Sequence, residues 1–139
     1  MLVTVCSRER SPLLTVGAVP RLLATGIVKA TRDVPVAVLA WVIMPDHLHV
    51  LLAPKVGGDV QAWVRRLKGG VSSHARALGL RRLWQRSFHD RVLRSDEQVS
   101  QVARYVLQNP VRAGWVEAWH QWPHHGSLTW DLCPDWNFD

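Results

Sequence analysis

Apolar residues run along this chain in blocks whose period changes from two to about four. Leu2-Val3-Thr4-Val5-Cys6 reads as a short strand, followed by a charged turn through Arg8, Glu9, Arg10 and Pro12. Leu13 to Lys29 is apolar-rich, with Leu22, Leu23, Ile27 and Val28, and predicts a helix that Gly17, Pro20 and Gly26 weaken. Val36 to Met44 is apolar and rich in β-branched residues, as a buried central strand requires. Pro45-Asp46 makes a tight turn, and His47 to Ala53 is the next strand, antiparallel to the one before. Gly57-Gly58-Asp59 then precedes a helical stripe of Val60, Trp63, Val64, Leu67 and Val71. Phe88 to Leu93 predicts another strand.

Ser95-Asp96-Glu97-Gln98 has the composition of a helix start. Serine can cap, glutamine three residues later can complete a capping box, and the acids suit the positive end of the helix dipole. Val99, Val102, Ala103, Val106 and Leu107 form the apolar stripe that follows, and Asn109-Pro110 and Gly114 mark its stop. From about residue 115 the chain holds Trp115, Trp119, Trp122, Trp130 and Trp136 with three histidines and little periodicity. The order strand, helix, strand, strand, helix, strand, helix predicts an α+β fold: a ferredoxin-like antiparallel sheet with helices packed on one face.

The length of 139 residues predicts a single domain over 1–139, with a Trp-rich C-terminal tail. No apolar run reaches the roughly 18–20 residues of a membrane-spanning helix, and the N-terminal stretch does not read as a secretory signal. Two isolated cysteines, Cys6 and Cys133, are too few for a disulfide framework. These features predict a cytoplasmic protein with reduced thiols. Charge changes the picture more. Eleven of the 17 Lys/Arg lie between Arg65 and Arg112, against Asp90, Asp96 and Glu97. A basic segment beside a near-neutral remainder predicts a polyanionic partner, with a solvated basic surface as the bland alternative.

The candidate chemistry sits in two places. On a strand alternate side chains point the same way, so His47 and His49 share a face, their Cα atoms ~7 Å apart. Two imidazoles on that base can converge on one divalent cation, with a third ligand from elsewhere. Tyr105, the only tyrosine, stands four residues before Asn109. On a helix the two project within about 40° of each other, beside the apolar stripe. If that helix packs beside the histidine strand, Asn109 offers its carbonyl oxygen to the metal and Tyr105 stands one turn away. Mg2+ suits a phosphate oxygen as a further ligand, and histidine ligation keeps Mn2+ a candidate. Such a site allows phosphodiester cleavage, with a metal polarising the phosphate and a phenol attacking in line. Asn109 before Pro110 is equally a helix-ending residue, and Asp46 reads as a turn residue.

Four blocks in order carry a resemblance. They are Val3 to Arg10, Trp41 to Leu52 (with Met44-Pro45-Asp46-His47-Leu48-His49), Leu83 to Arg94, and Tyr105 to Gly114. Together they resemble the single-tyrosine HUH transposases, and most closely their REP-associated tyrosine branch. The resemblance implies a ferredoxin-like nuclease fold acting on single-stranded DNA that carries a hairpin. It implies attack by Tyr105 to leave a 5′-phosphotyrosine link and a free 3′-OH. His47 and His49 are then metal ligands, and Asn109 occupies the position where related transposases place a polar side chain that completes the site. It also implies a chain working as a monomer with its own tyrosine, rather than as a homodimer. Arg65, Arg66, Lys68, Arg81, Arg82, Arg86, Arg91 and Arg94 are the candidates for holding the DNA backbone. Arg104 and Arg112, flanking the tyrosine helix, are candidates for phosphate contact or for solvation.

Two function classes compete: a metal-dependent DNA-nicking and strand-transfer enzyme, and a non-catalytic ferredoxin-like module that holds single-stranded DNA or RNA. A binding module needs basic and aromatic surface but has no use for the His47, His49, Tyr105 and Asn109 quartet. The tryptophans of the tail either stack on exposed bases or cover the sheet.

Overall fold

The computed structural model describes residues 1–136. Five strands, β1 (Leu2–Cys6), β2 (Val36–Met44), β3 (His47–Pro54), β4 (His89–Arg91) and β5 (His125–Gly126), form one sheet in the order β4-β1-β3-β2-β5. Every neighbouring pair is antiparallel. The helices are α1 (Val19–Asp33), α2 (Val60–Arg76), α3 (Val99–Leu107) and the short α4 (Asn109–Arg112). The α+β class and the antiparallel sheet are as the sequence predicts.

Alternation along the strands divides the interior into two layers. Val3, Val5, Ile43, Leu48, Val50 and Leu52 face α1 and α2, which bury Leu23 and Ile27, and Trp63, Val64, Leu67 and Val71. Gly26 lets these helices approach closely, since a Cβ there would lie 2.7 Å from Val71 Cγ2. Leu2, Ala40, Val42, Met44 and Leu51 face the opposite side, where Val102, Ala103, Val106 and Leu107 of α3 pack with Trp119 and Trp122. The sequence places all the helices on one face; in the structure α1 and α2 lie there, while the tyrosine helix α3 packs across the other, because its stripe meets the apolar residues of that second face. A bulge between Val38 and Ala40 shifts the phase of this alternation, so Val36 and Val38 face the first layer and Ala40, Val42 and Met44 the second.

Boundaries moved where local signals met tertiary partners. The first helix starts at Val19 rather than Leu13 and runs on to Asp33, with proline in its first turn. The third helix starts at Val99, with Gln98 at the cap position and no side-chain cap bond. Ser95 does not cap it, because Glu97 accepts instead from Arg94 N at 2.8 Å and from Arg91 at 2.6 Å, closing a separate turn. Val99 is consequently exposed while the rest of its stripe is buried. The tail supplies β5, which the sequence did not announce. It pairs with β2 at Trp41 and Val42, and Trp122 Nε1 donates to Ile43 O at 3.0 Å. Trp119 and Trp122 thus cover the sheet, while Trp115 is exposed.

Candidate active site

β3 and its turn position the two histidines. Leu51 on the same side of the strand is buried under α3, so His47 and His49 open onto the α3 face. Their rings meet edge to face, with centroids 4.6 Å apart. Each ring is held through Nδ1. His47 Nδ1 lies 2.7 Å from Asp46 Oδ1, so Nδ1–H donates to the carboxylate and Nε2 is left facing Asn109. His49 Nδ1 lies 2.8 Å from Thr4 Oγ1, its direct register partner on β1. Asp46 in turn accepts from Arg10 Nε at 2.9 Å, with Nη2 at 2.8 Å.

Burial pushes His49 down to about 4, aided by His47, Arg112 and Arg10, so the ring is neutral at physiological pH. For Asp46 burial alone would raise the pKa, but the hydrogen bonds from His47 and Arg10 outweigh it and hold the carboxyl below its ordinary value. A neutral imidazole and an ionised orienting carboxylate are the states in which histidines bind metals.

The α3–α4 junction brings the third group. α3 ends at Leu107, Gln108 interrupts it, and α4 begins at Asn109 with Pro110 in its first turn. Asn109 Nδ2 lies 3.4 Å from His47 Nε2, so the residue sits both at the helix break and beside the imidazole. Tyr105, one turn earlier, is 52% exposed, and the Arg112 guanidinium carbon lies 4.0 Å from its ring centroid. With Arg91, Glu97, Gln101 and Val102, Tyr105 lines a small hollow of about 160 Å3. The hydrogen bond from Arg91, and the Arg94 backbone N–H, hold Glu97 down at about 2, so it stays ionised.

Among the described residues no three His, Cys, Asp or Glu side chains group as a metal cluster. The donor set that does converge is two imidazoles and a carboxamide. It fits a divalent ion, because both Nδ1 atoms are engaged by the protein and the Asn109 carboxamide can turn its oxygen where its nitrogen now stands.

The family profile described as Transposase IS200 like matches residues 2–109. The chain is 32% identical over 136 residues to the REP-associated tyrosine transposase of Escherichia coli (strain K12), spanning 94% of this chain and 79% of that one. It belongs to the IS200-like transposases, in their REP-associated tyrosine branch. A solved structure of a REP-associated tyrosine transposase bound to a REP hairpin matches with a TM-score of 0.74 and 32% identity, over 89% of this chain and 73% of that one. A second solved structure, from Deinococcus radiodurans, shares the fold at a TM-score of 0.57 and 21% identity, over 76% of this chain and 85% of that one. As a transposase of this family the protein is a DNA-processing enzyme. No described helix is long and apolar enough to cross a membrane.

The basic residues of this transposase fall into distinct surroundings. Arg82 and Arg86 line an open cleft of about 710 Å3 with Arg8 and Trp84. Arg65 and Arg86 share a second groove with Phe88 and Asp90, and Arg81 is exposed nearby in sequence. Lys68 donates to Gln85 O at 2.7 Å and Ser87 O at 2.9 Å, so it ties α2 to the following segment. Arg66 pairs with Asp33, and Arg91 and Arg94 pair with Glu97. Arg104 is exposed on α3. Sequence reasoning missed Thr4 and Arg10, and took Asp46 for a turn residue alone. The adjacency of Asp46 to His47 was the available signal.

Proposed function

We propose that this transposase is a metal-dependent single-stranded DNA endonuclease and strand transferase that nicks at or near DNA hairpins through Tyr105. The observation that carries the reading is the contact between Asn109 and His47, which ties the helix bearing the lone tyrosine to the histidine strand. In this reading Tyr105 acts on its own subunit, in a monomer. The relatives support the substrate, since one of them was solved with a REP hairpin.

Tyr105 Oη attacks a backbone phosphorus in line and gives up its proton to water. The P–O3′ bond breaks, the 3′-oxygen gains a proton, and the 5′-phosphate remains esterified to Tyr105. Arg112, over the ring, orients the phenol and offers donors to the phosphate. His47, His49 and Asn109 would hold Mg2+ or Mn2+, which supplies charge stabilisation to a non-bridging phosphate oxygen. Arg65, Arg81, Arg82 and Arg86 bind backbone phosphates of the hairpin-bearing strand, contributing affinity without sequence choice.

The test is a denaturing gel of the protein with Mn2+ and a panel of single-stranded hairpin oligonucleotides. The expected result is a covalent protein–DNA species that Tyr105→Phe abolishes without weakening binding. A Tyr105→Phe variant that cuts like the parent would overturn the mechanism, and binding without any cutting by the parent would favour the non-catalytic module.

A further inference from the structure

The turn between β1 and α1 is unusual backbone. Glu9 and Arg10 have φ of 56° and 55°, two successive residues in the left-handed region and neither of them glycine. Such conformations persist where the surroundings over-determine them, and they cluster at functional sites. Here the surroundings are the Pro45-Asp46 turn. Ser7 is fully buried, and both its N–H (3.0 Å) and its Oγ (3.1 Å) reach Asp46 O. Ser7 Oγ also lies 2.7 Å from Ser11 O, and Leu14 N donates to Pro45 O at 2.9 Å. The turn is therefore stitched to the corner that carries Asp46, and the side chain it presents there is Arg10.

The two carboxylate oxygens of Asp46 are divided. Oδ2 takes both nitrogens of Arg10, and Oδ1 takes His47 Nδ1. We infer that Arg10 is a positioning residue of the active site: its fork fixes the Asp46 carboxylate, which holds His47 in one tautomer with Nε2 at Asn109. The arrangement has little to offer stability. The Arg10 side chain is 54% exposed, and exposed ion pairs contribute little to folding. Its effect is on direction, since partners behind a metal-binding histidine set its ring orientation and tautomer. The inference rests on the reading of His47 as a metal ligand.

The experiment compares the parent with Arg10→Gln, Arg10→Lys and Asp46→Asn, and with Arg32→Gln as a control that removes one positive charge from α1. The ring nitrogens of His47 are followed by 15N NMR in metal-free protein at neutral pH, Mn2+ affinity by calorimetric titration, and folding by Tm. The parent should show His47 with the proton on Nδ1. Arg10→Gln should give a mixture of tautomers and about tenfold weaker Mn2+ binding, with Tm little changed. Arg10→Lys, which keeps the charge but not the fork, should fall between. An Arg10→Gln protein with the parent tautomer and parent Mn2+ affinity overturns the inference, as does a drop in Tm with both of those unchanged. A parent that binds no Mn2+ sinks the metal reading instead, while the metal-free tautomer measurement still decides the role of Arg10.

Discussion

The Arg112 guanidinium sits over the ring of Tyr105, 4.0 Å from its centroid, and its charge also reaches His49. One side chain from α4 thus touches the proposed nucleophile and is felt by one of the proposed ligands. A cation over an exposed aromatic ring contributes about 0.5–1 kcal/mol, and a lost donor to a reacting phosphate costs more. Arg112→Ala should slow formation of the Tyr105–DNA adduct by about tenfold to a hundredfold in single-turnover experiments. Arg112→Lys should recover only part, because lysine lacks the planar fork.

A divalent ion bound only by the folded state raises stability by mass action, about 2.7 kcal/mol at a hundred times its Kd. Mn2+ should therefore raise the Tm of the parent, and chelation should reverse the rise. His47→Ala and His49→Ala should abolish the shift and Asn109→Ala should reduce it. A parent whose melting ignores Mn2+ and Mg2+ would remove metal from the mechanism.

Acid should destabilise the protein in part through His49. In the unfolded chain His49 takes up its proton near 6.5, whereas in the folded protein burial delays this to about 4. Between those values the unfolded state binds more protons, so stability falls as pH falls from about 6.5 to 4. The slope from this group is at most about 1.4 kcal/mol per pH unit, flattening below its folded pKa. Asp46 has a lowered pKa, so its contribution is present above the ordinary carboxylate range and is lost at still lower pH. Denaturant melts across the acid range should show a shallower slope in His49→Asn than in the parent, the remainder coming from His124 and His125, which burial also holds below their ordinary value.

Lys68 and Arg86 should separate stability from binding. Lys68 is half-buried on two backbone carbonyls, and a hydrogen bond to a charged group contributes about 1.5–3 kcal/mol. Lys68→Ala should lower stability by about 2 kcal/mol. Arg86 lines both basic grooves, so Arg86→Ala should leave Tm unchanged and weaken hairpin binding. Its log-affinity against log-salt slope should fall by about one.

Gly126 lies opposite Trp41 in the β2–β5 pair, and a Cβ at Gly126 would collide with the indole ring. Gly126→Ala should destabilise the fold by about 1–3 kcal/mol, the usual range for overpacking. Hydrogen exchange should show the loss first at Ile43 N, which donates to His124 O at 2.8 Å.

Much of this was readable from local pattern. β2 and β3 announced themselves by composition, and the i, i+4 relation of Tyr105 and Asn109 placed both beside the stripe that packs on the sheet. The unreadable parts depend on partners distant in the chain. Arg10 meets Asp46 across 36 residues and Thr4 meets His49 across 45, and no local period encodes such pairings. β5 is two residues long, too short for alternation to show. Ser95 looked like a cap because its neighbours have capping composition, yet Arg91 and Arg94 claim Glu97 first. Charge pattern likewise does not show that Lys68, which lines the groove with Arg65 and Arg86, also reaches back to two backbone carbonyls.

The docking of β5 onto β2 also bears on how the protein keeps to itself. Without that two-residue cover the flank of β2 would offer unpaired amides and carbonyls beside Trp41 and Ile43, a template on which another chain can add a strand. Loss of the tail beyond Trp122 should therefore make the protein more prone to sheet-mediated aggregation, while the hydrogen-bonding groups of β4, only three residues long, offer little foothold on the other side.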